Sequence, residues 1–180
     1  MSRLRFEVAR EVFEAFPTAY DDIKARPTEA PPLAFLRSLA SGPTPDDAIG
    51  FCAYLLPRRE AVWWASQCVR SLIGTPTEND EIALEVAEDW VREPEEPKRR
   101  AALRVGLSAS RRDASTWVAL AAAWSGGSLI VSESGGPPAP PHLTAKAARG
   151  ALMIALVNKP HRLAQISQCV ERGVQIAESL

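Results

Sequence analysis

The stretch Leu55-Leu56-Pro57-Arg58-Arg59-Glu60-Ala61-Val62-Trp63-Trp64-Ala65 decides how the chain reads. Pro57 has no backbone N–H, so it either opens a new helix or kinks the one before it. Beyond it, each residue turns the helix by about 100°. Two consecutive tryptophans therefore cannot share a face. Trp64 lines up with Ala61, Ala65, Cys68 and Leu72, an apolar stripe that belongs to a core. Trp63 lines up with Arg59, Gln67 and Arg70 on the polar edge. Gly74 and Pro76 then stop the pattern, which gives a helix over 58–73.

The same 3.6-residue period continues outward on both sides. Toward the N-terminus, Thr44-Pro45-Asp46-Asp47 reads as a helix start, with a Thr cap, Pro in the first turn and acids on the positive helix end. That helix carries Ile49, Phe51, Cys52, Tyr54 and Leu55. Pro31-Pro32 opens a helix through Leu33, Leu36 and Leu39, which Gly42-Pro43 ends. A short helical piece is expected at 19–25. Ala9, Val12, Phe13 and Phe16 place an amphipathic helix over 3–16.

Toward the C-terminus, Thr77-Glu78-Asn79-Asp80 resembles a capping box and opens a helix to about Arg92. Pro94 and Pro97 bracket a hinge before helices over 97–109 and 113–124. Two more follow at 143–157 and 160–178. Gly173, inside the last, costs about 1 kcal/mol against Ala and marks a close helix–helix approach. Residues 125–141 are a Gly/Ser/Pro-rich loop in which Leu129-Ile130-Val131 reads as a short strand or a buried loop anchor. Alternation of period two is otherwise nearly absent. The expectation is a single all-α domain over residues 1–180, with eight to ten short helices whose short joints also allow helix-pair stacking.

Composition fits that fold and narrows the chemistry. The 180 residues include 21 basic and 22 acidic side chains, for a net charge of −1, and 46% are hydrophobic. Such a chain can bury a core without staples. A nucleic-acid or anionic-membrane binder would need a basic excess that is absent here. Lysine occurs only at 24, 98, 146 and 159, an arginine bias that, with abundant alanine, points to a GC-rich bacterial gene. Three cysteines, Cys52, Cys68 and Cys169, form no CxxC spacing and no even set, which fits a reducing compartment. The first residues lack the apolar run of a signal peptide, so a cytoplasmic location is expected. Ala114 to Ser132 carries no charge, but Ser125-Gly126-Gly127-Ser128 interrupts it, so no membrane insertion is expected.

Motifs for catalysis and cofactors fail in turn. No GxxxxGK[ST] and no GxGxxG after a strand offers a phosphate cradle, and no GxSxG offers a serine elbow. His142 and His161 lie far apart, with no HExxH, so no metal site is expected. The thiols sit in apolar contexts, where burial raises their pKa. Paired acids at 21–22, 46–47, 88–89 and 95–96 point about 100° apart on helices and read as caps and solvated faces. No catalytic residue, cofactor or metal ligand is expected.

What remains is surface chemistry. Glu78 to Glu96 holds nine acids and one base, Arg92, whereas Lys98 to Arg112 holds six bases and no acid. These are two faces that attract each other or are solvated, or else a patch that orients a partner. The second candidate is the Trp63 edge. Either Trp63 packs beneath a neighbouring element with Arg59 stacked on its ring, or Arg58, Arg59, Trp63 and Arg70 form a Trp–Arg hot spot for another protein.

The stretch Leu56-Pro57-Arg58-Arg59-Glu60-Ala61-Val62-Trp63-Trp64-Ala65 resembles the signature of an uncharacterised bacterial family whose members carry Leu-Pro-x-Arg-Glu-Ala-Val-Trp-Trp-Ala. The Ala-rich segment Ala147 to Val157, followed by an amphipathic one from Arg162 to Ala177, is similar to that family as well. The resemblance implies a cytoplasmic accessory or adaptor protein associated with type VI secretion, with no activity to carry over. The reading is therefore a non-enzymatic protein-binding adaptor. Its rivals are a small hydrolase or transferase with an unrecognised site, and a homo-oligomer joined through residues 143–178.

Overall fold

The computed structural model describes residues 4–132 and 134–180. It contains ten helices among these residues and no strand. They are α1 (Ala9–Ala15), α2 (Ala19–Asp22), α3 (Pro32–Ala40), α4 (Asp46–Leu55) and α5 (Arg58–Ile73), followed by α6 (Glu78–Arg92), α7 (Glu96–Ser108), α8 (Ala114–Ala123), α9 (Leu143–Ala155) and α10 (Arg162–Glu178). The protein is all-α, as the 3.6-residue period predicts.

The core is organised around α8. Ala and Leu cover all its sides, and every residue but Trp117 is buried, as expected of a helix without a polar face. It packs against α5, α6, α7 and α9, while α9 reaches back to α4 and α5, and α10 lies on α3, α4 and α5. Helices distant in sequence are thus neighbours, and one apolar core draws side chains from all ten.

Local chemistry accounts for most helix ends. Pro57 starts α5 rather than kinking α4, because Leu56 is already extended (ψ 141°). The capping box of α6 forms: Asp80 N–H donates to Thr77 Oγ1 at 3.2 Å, and Thr77 N–H donates to Asp80 Oδ2 at 2.9 Å. Asp113 caps α8 by accepting from Thr116 N–H at 3.0 Å.

Three expectations are corrected. Helix α1 begins at Ala9 rather than residue 3, because the backbone N–H groups of Ala9 and Arg10 donate to the loop carbonyls of Ala30 and Thr28 (2.9 and 3.0 Å). Thr44 does not cap α4. Its hydroxyl donates to Asp47 Oδ2 at 2.9 Å, and Asp47 also accepts from the backbone of Lys24 and Ala25, tying α4 to the chain after α2. Leu129-Ile130-Val131 is neither strand nor buried anchor. One antiparallel bridge joins Ser128 and Pro138, and Ile130 and Val131 face solvent. The anchor is instead Arg99 of α7, a buried guanidinium that donates to the C-terminal carbonyl of Ala123 at 2.7 Å and to Ser128 O at 3.3 Å. Glu96 pairs with it at 2.7 Å.

Gly173 makes the close approach its position predicts. A Cβ there would run into Cys52 Sγ and lie 3.2 Å from Trp64 Nε1. Replacing Gly173 with Ala is expected to lower stability by about 1–3 kcal/mol despite the better helix propensity of Ala, because the crowded core must shift. Chemical denaturation measures it.

Candidate partner-binding site

Helices α5 and α10 run antiparallel along a shared seam, and its inner side is bonded shut. Trp64 Nε1–H donates to Cys169 O at 2.8 Å, and Arg172 Nη1 donates to Gln67 O at 2.8 Å. The outer side is open. Trp63, one residue before the buried Trp64, is 39% exposed. It lies at the centre of a groove of about 460 Å³ that also involves Arg59, Val91, Arg92, Ile176 and Leu180. A second hollow of about 350 Å³ continues it past Gln67, Arg172 and Gln175. A helix edge with a half-exposed indole, a neighbouring Ile and several guanidinium groups can seat an apolar side chain and orient carboxylates around it.

The four residues singled out from sequence do not form one patch. Arg59 and Trp63 share the groove. However, Arg59 does not stack on the indole: its Nε donates to Val91 O at 2.6 Å, near the C-terminal end of α6. Arg58 turns the other way and donates to Ser125 O at 2.7 Å, pinning the start of the Pro/Gly-rich loop. Arg70 faces α6 and forms ion pairs with Glu88 (2.7 Å) and Glu81 (2.8 Å). Glu88 is only 7% exposed and also accepts from Ser66. Arg70 is therefore part of the packing of α5 on α6. Sequence reasoning missed Val91, Ile176 and Arg172, which reach the groove from the end of α6 and from α10. The apolar spacing of α10 shows that Ile176 faces inward, but which helix it meets is set by tertiary packing alone.

The charge blocks resolve similarly. The acids of 78–96 are answered from several directions, by Arg70 on α5, by Ser115 on α8 at Asp80, and by Lys98 at Glu93. Burial pushes the Asp22, Asp80 and Glu88 carboxyls up, but their hydrogen bonds outweigh it: Tyr54 and Lys146 on Asp22, Ser115 and Thr77 on Asp80, Arg70 and Ser66 on Glu88. All three end below the usual carboxylate range. The Arg99 guanidinium, with Arg100, holds Glu96 down to about 2. A carboxyl whose folded pKa is depressed contributes stability above its unfolded pKa and loses it as pH falls through the folded value. The urea midpoint is therefore expected to stay flat from neutral pH to about pH 5 and to drop steeply between about pH 4 and 2. Equilibrium unfolding across that series tests it.

The expectation for the cysteines changes most. Cys52, Cys68 and Cys169 are distant in sequence yet buried together where α4, α5 and α10 meet. Burial pushes the Cys52 thiol well up. Cys68 and Cys169 line a small cleft with Ser71, Leu72, Gln165, Gln168 and Arg172, and that cleft holds no histidine.

Together, fold and site define a class: an all-α protein whose outer helical seam carries a groove centred on a half-exposed tryptophan. Among the described residues, no helix is long and apolar enough to cross a membrane. Residues 35–177 match a family of unknown function, DUF6931, and the chain belongs to that family. Comparison with curated proteins and with solved structures returned no match.

Proposed function

We propose that this protein is a non-enzymatic adaptor that binds another protein through the α5–α10 groove. The observation that carries the reading is Trp63, a large apolar side chain left 39% exposed in a groove of about 460 Å³. Trp and Arg dominate binding energy at interface centres, because they offer large contact area together with directional bonds. Arg59, Arg92 and Arg172 line the two hollows on either side of Trp63, with Glu60 beside them and Arg92 paired to Asp89 at 2.6 Å. The occupant that fits is an amphipathic segment presenting one apolar anchor flanked by carboxylates. The resemblance of Leu56 to Ala65 to a bacterial signature supports a finer reading, a cytoplasmic accessory factor of a type VI secretion system.

Affinity capture from the native cytoplasm, read by mass spectrometry, tests this with wild type against folded Arg59→Ala/Trp63→Ala protein. One specific protein is expected to lose at least about 30-fold in affinity, as removal of a hot spot worth about 2 kcal/mol requires. Equal recovery of the same partners from both would overturn the assignment of this groove.

A second reading has its own observation. Ile154 at the end of α9, Val157 just beyond it and Leu163 at the start of α10 are all exposed. They favour self-association through residues 143–178. Sedimentation equilibrium of wild type and Leu163→Asp decides it: a dimer that the substitution converts to monomer supports self-association, and a monomeric wild type removes it.

A further inference from the structure

The α5–α10 seam that forms the groove at one end holds two sulfurs at the other. Trp64 and Cys68 are one turn apart on α5, as are Cys169 and Gly173 on α10. Because Gly173 has no side chain, α10 settles close onto Trp64 and Cys52, and the preceding turn bonds the Cys169 carbonyl to Trp64 and places Cys169 in the same cleft as Cys68. Both thiols open on the same cleft, and their proximity moves the Cys68 pKa up and the Cys169 pKa down. The Arg172 guanidinium follows one turn later on α10, and together these hold the Cys169 thiol below its usual range against its burial. Both cysteines line a cleft of about 30 Å³ at the surface of the seam. That volume admits one or two molecules the size of water. Hydrogen peroxide fits, and a glutathione-sized disulfide does not.

We propose that Cys68 and Cys169 are a peroxide-reactive pair that forms a reversible disulfide between α5 and α10. In the first step the Cys169 thiolate attacks one oxygen of hydrogen peroxide. An S–O bond forms, the O–O bond breaks, and the departing hydroxide takes a proton to become water. Cys169 is oxidised by two electrons to a sulfenic acid and the peroxide is reduced by two. The Cys68 sulfur then attacks the Cys169 sulfur. The S–S bond forms as the S–O bond breaks, and the hydroxide leaves as water with the Cys68 proton. The net reaction consumes two thiols and one peroxide and yields one disulfide and two waters. Cys52, enclosed in the core with its thiol pushed well up, stays reduced. The proposal stands independently of what occupies the groove.

The test is hydrogen peroxide added to the reduced full-length protein, with peptide mapping under non-reducing conditions. The expected result is a single intramolecular Cys68–Cys169 linkage, loss of two hydrogens from the intact mass, and reversal by dithiothreitol. Oxidation is expected to raise Tm by about 5–10 °C, because the linkage closes a long loop. Cys68→Ser is expected to stop at a Cys169 sulfenic acid trapped by dimedone, and Cys52→Ser to leave the linkage intact. Wild type alone decides the matter if a variant misfolds. A linkage that includes Cys52 would overturn the proposal. So would native protein that keeps all its thiols at a peroxide level that oxidises the urea-unfolded chain.

Discussion

Replacing Trp64 with Ala is expected to remove about 3–5 kcal/mol of stability and to lower Tm by about 10 °C. Replacing Trp63, the residue beside it, is expected to cost about half as much, ~2 kcal/mol. The contrast follows from one turn increment of α5. The Trp64 indole is 0% exposed, packs where α5 meets α10, and spends its N–H on Cys169 O at 2.8 Å. Truncation leaves a large cavity and also removes the indole's added hydrogen bond to the Cys169 carbonyl. Trp63 keeps 39% of its surface in water already and leaves no enclosed cavity, so less is lost with it. Two urea titrations suffice. Equal losses from the two variants would mean that α5 does not sit in the register described.

The second large effect belongs to Arg70. Arg70→Ala is expected to cost about 3 kcal/mol, because Glu88 would remain buried without its cation. The companion Arg70→Ala/Glu88→Gln is expected to recover much of that loss, since the amide brings no charge into the site. A surface arginine of a binding patch would behave otherwise: its removal would leave stability within about 0.5 kcal/mol. Should Arg70→Ala prove neutral in denaturation, the ion network between α5 and α6 is not what holds Glu88. The same logic separates Arg70 from Arg59, whose partner is a backbone carbonyl at an exposed helix end.

How much of this is legible in the chain depends on the range of the interaction. Pro57, the Thr77–Asp80 box, Gly74 and the Trp63/Trp64 turn act within a few residues, and each does in the structure what its local chemistry requires. Gly173 is a longer-range case that still reads correctly, since a glycine inside an amphipathic helix has few reasons to persist other than close approach. The arginines are the opposite case. Arg58, Arg59 and Arg70 fall along one stretch of helix, yet they are assigned to a loop carbonyl, a helix end and a buried carboxylate by neighbours 67, 32 and 18 residues away. A long flexible side chain with several donors takes whichever partner the fold supplies, and periodicity carries no information about that choice. The cysteines are hidden for the same reason: three thiols in three apolar stripes show only that each is inside, not that they meet. Leu129-Ile130-Val131 misleads by composition, because two β-branched residues and a Leu between Gly and Ser clusters find no second strand long enough to pair with.

The claim on which the account turns is that the Trp63 edge is covered by another protein in the cell. The direct measurement is site-specific photo-crosslinking, with p-benzoylphenylalanine installed at position 63 and, as a control, at the exposed position 85 on α6. The account predicts one discrete heterologous adduct from position 63 that is absent from position 85 and lost when Ile176 is changed to Asp. No adduct from position 63, or the same adducts from both positions, would contradict it.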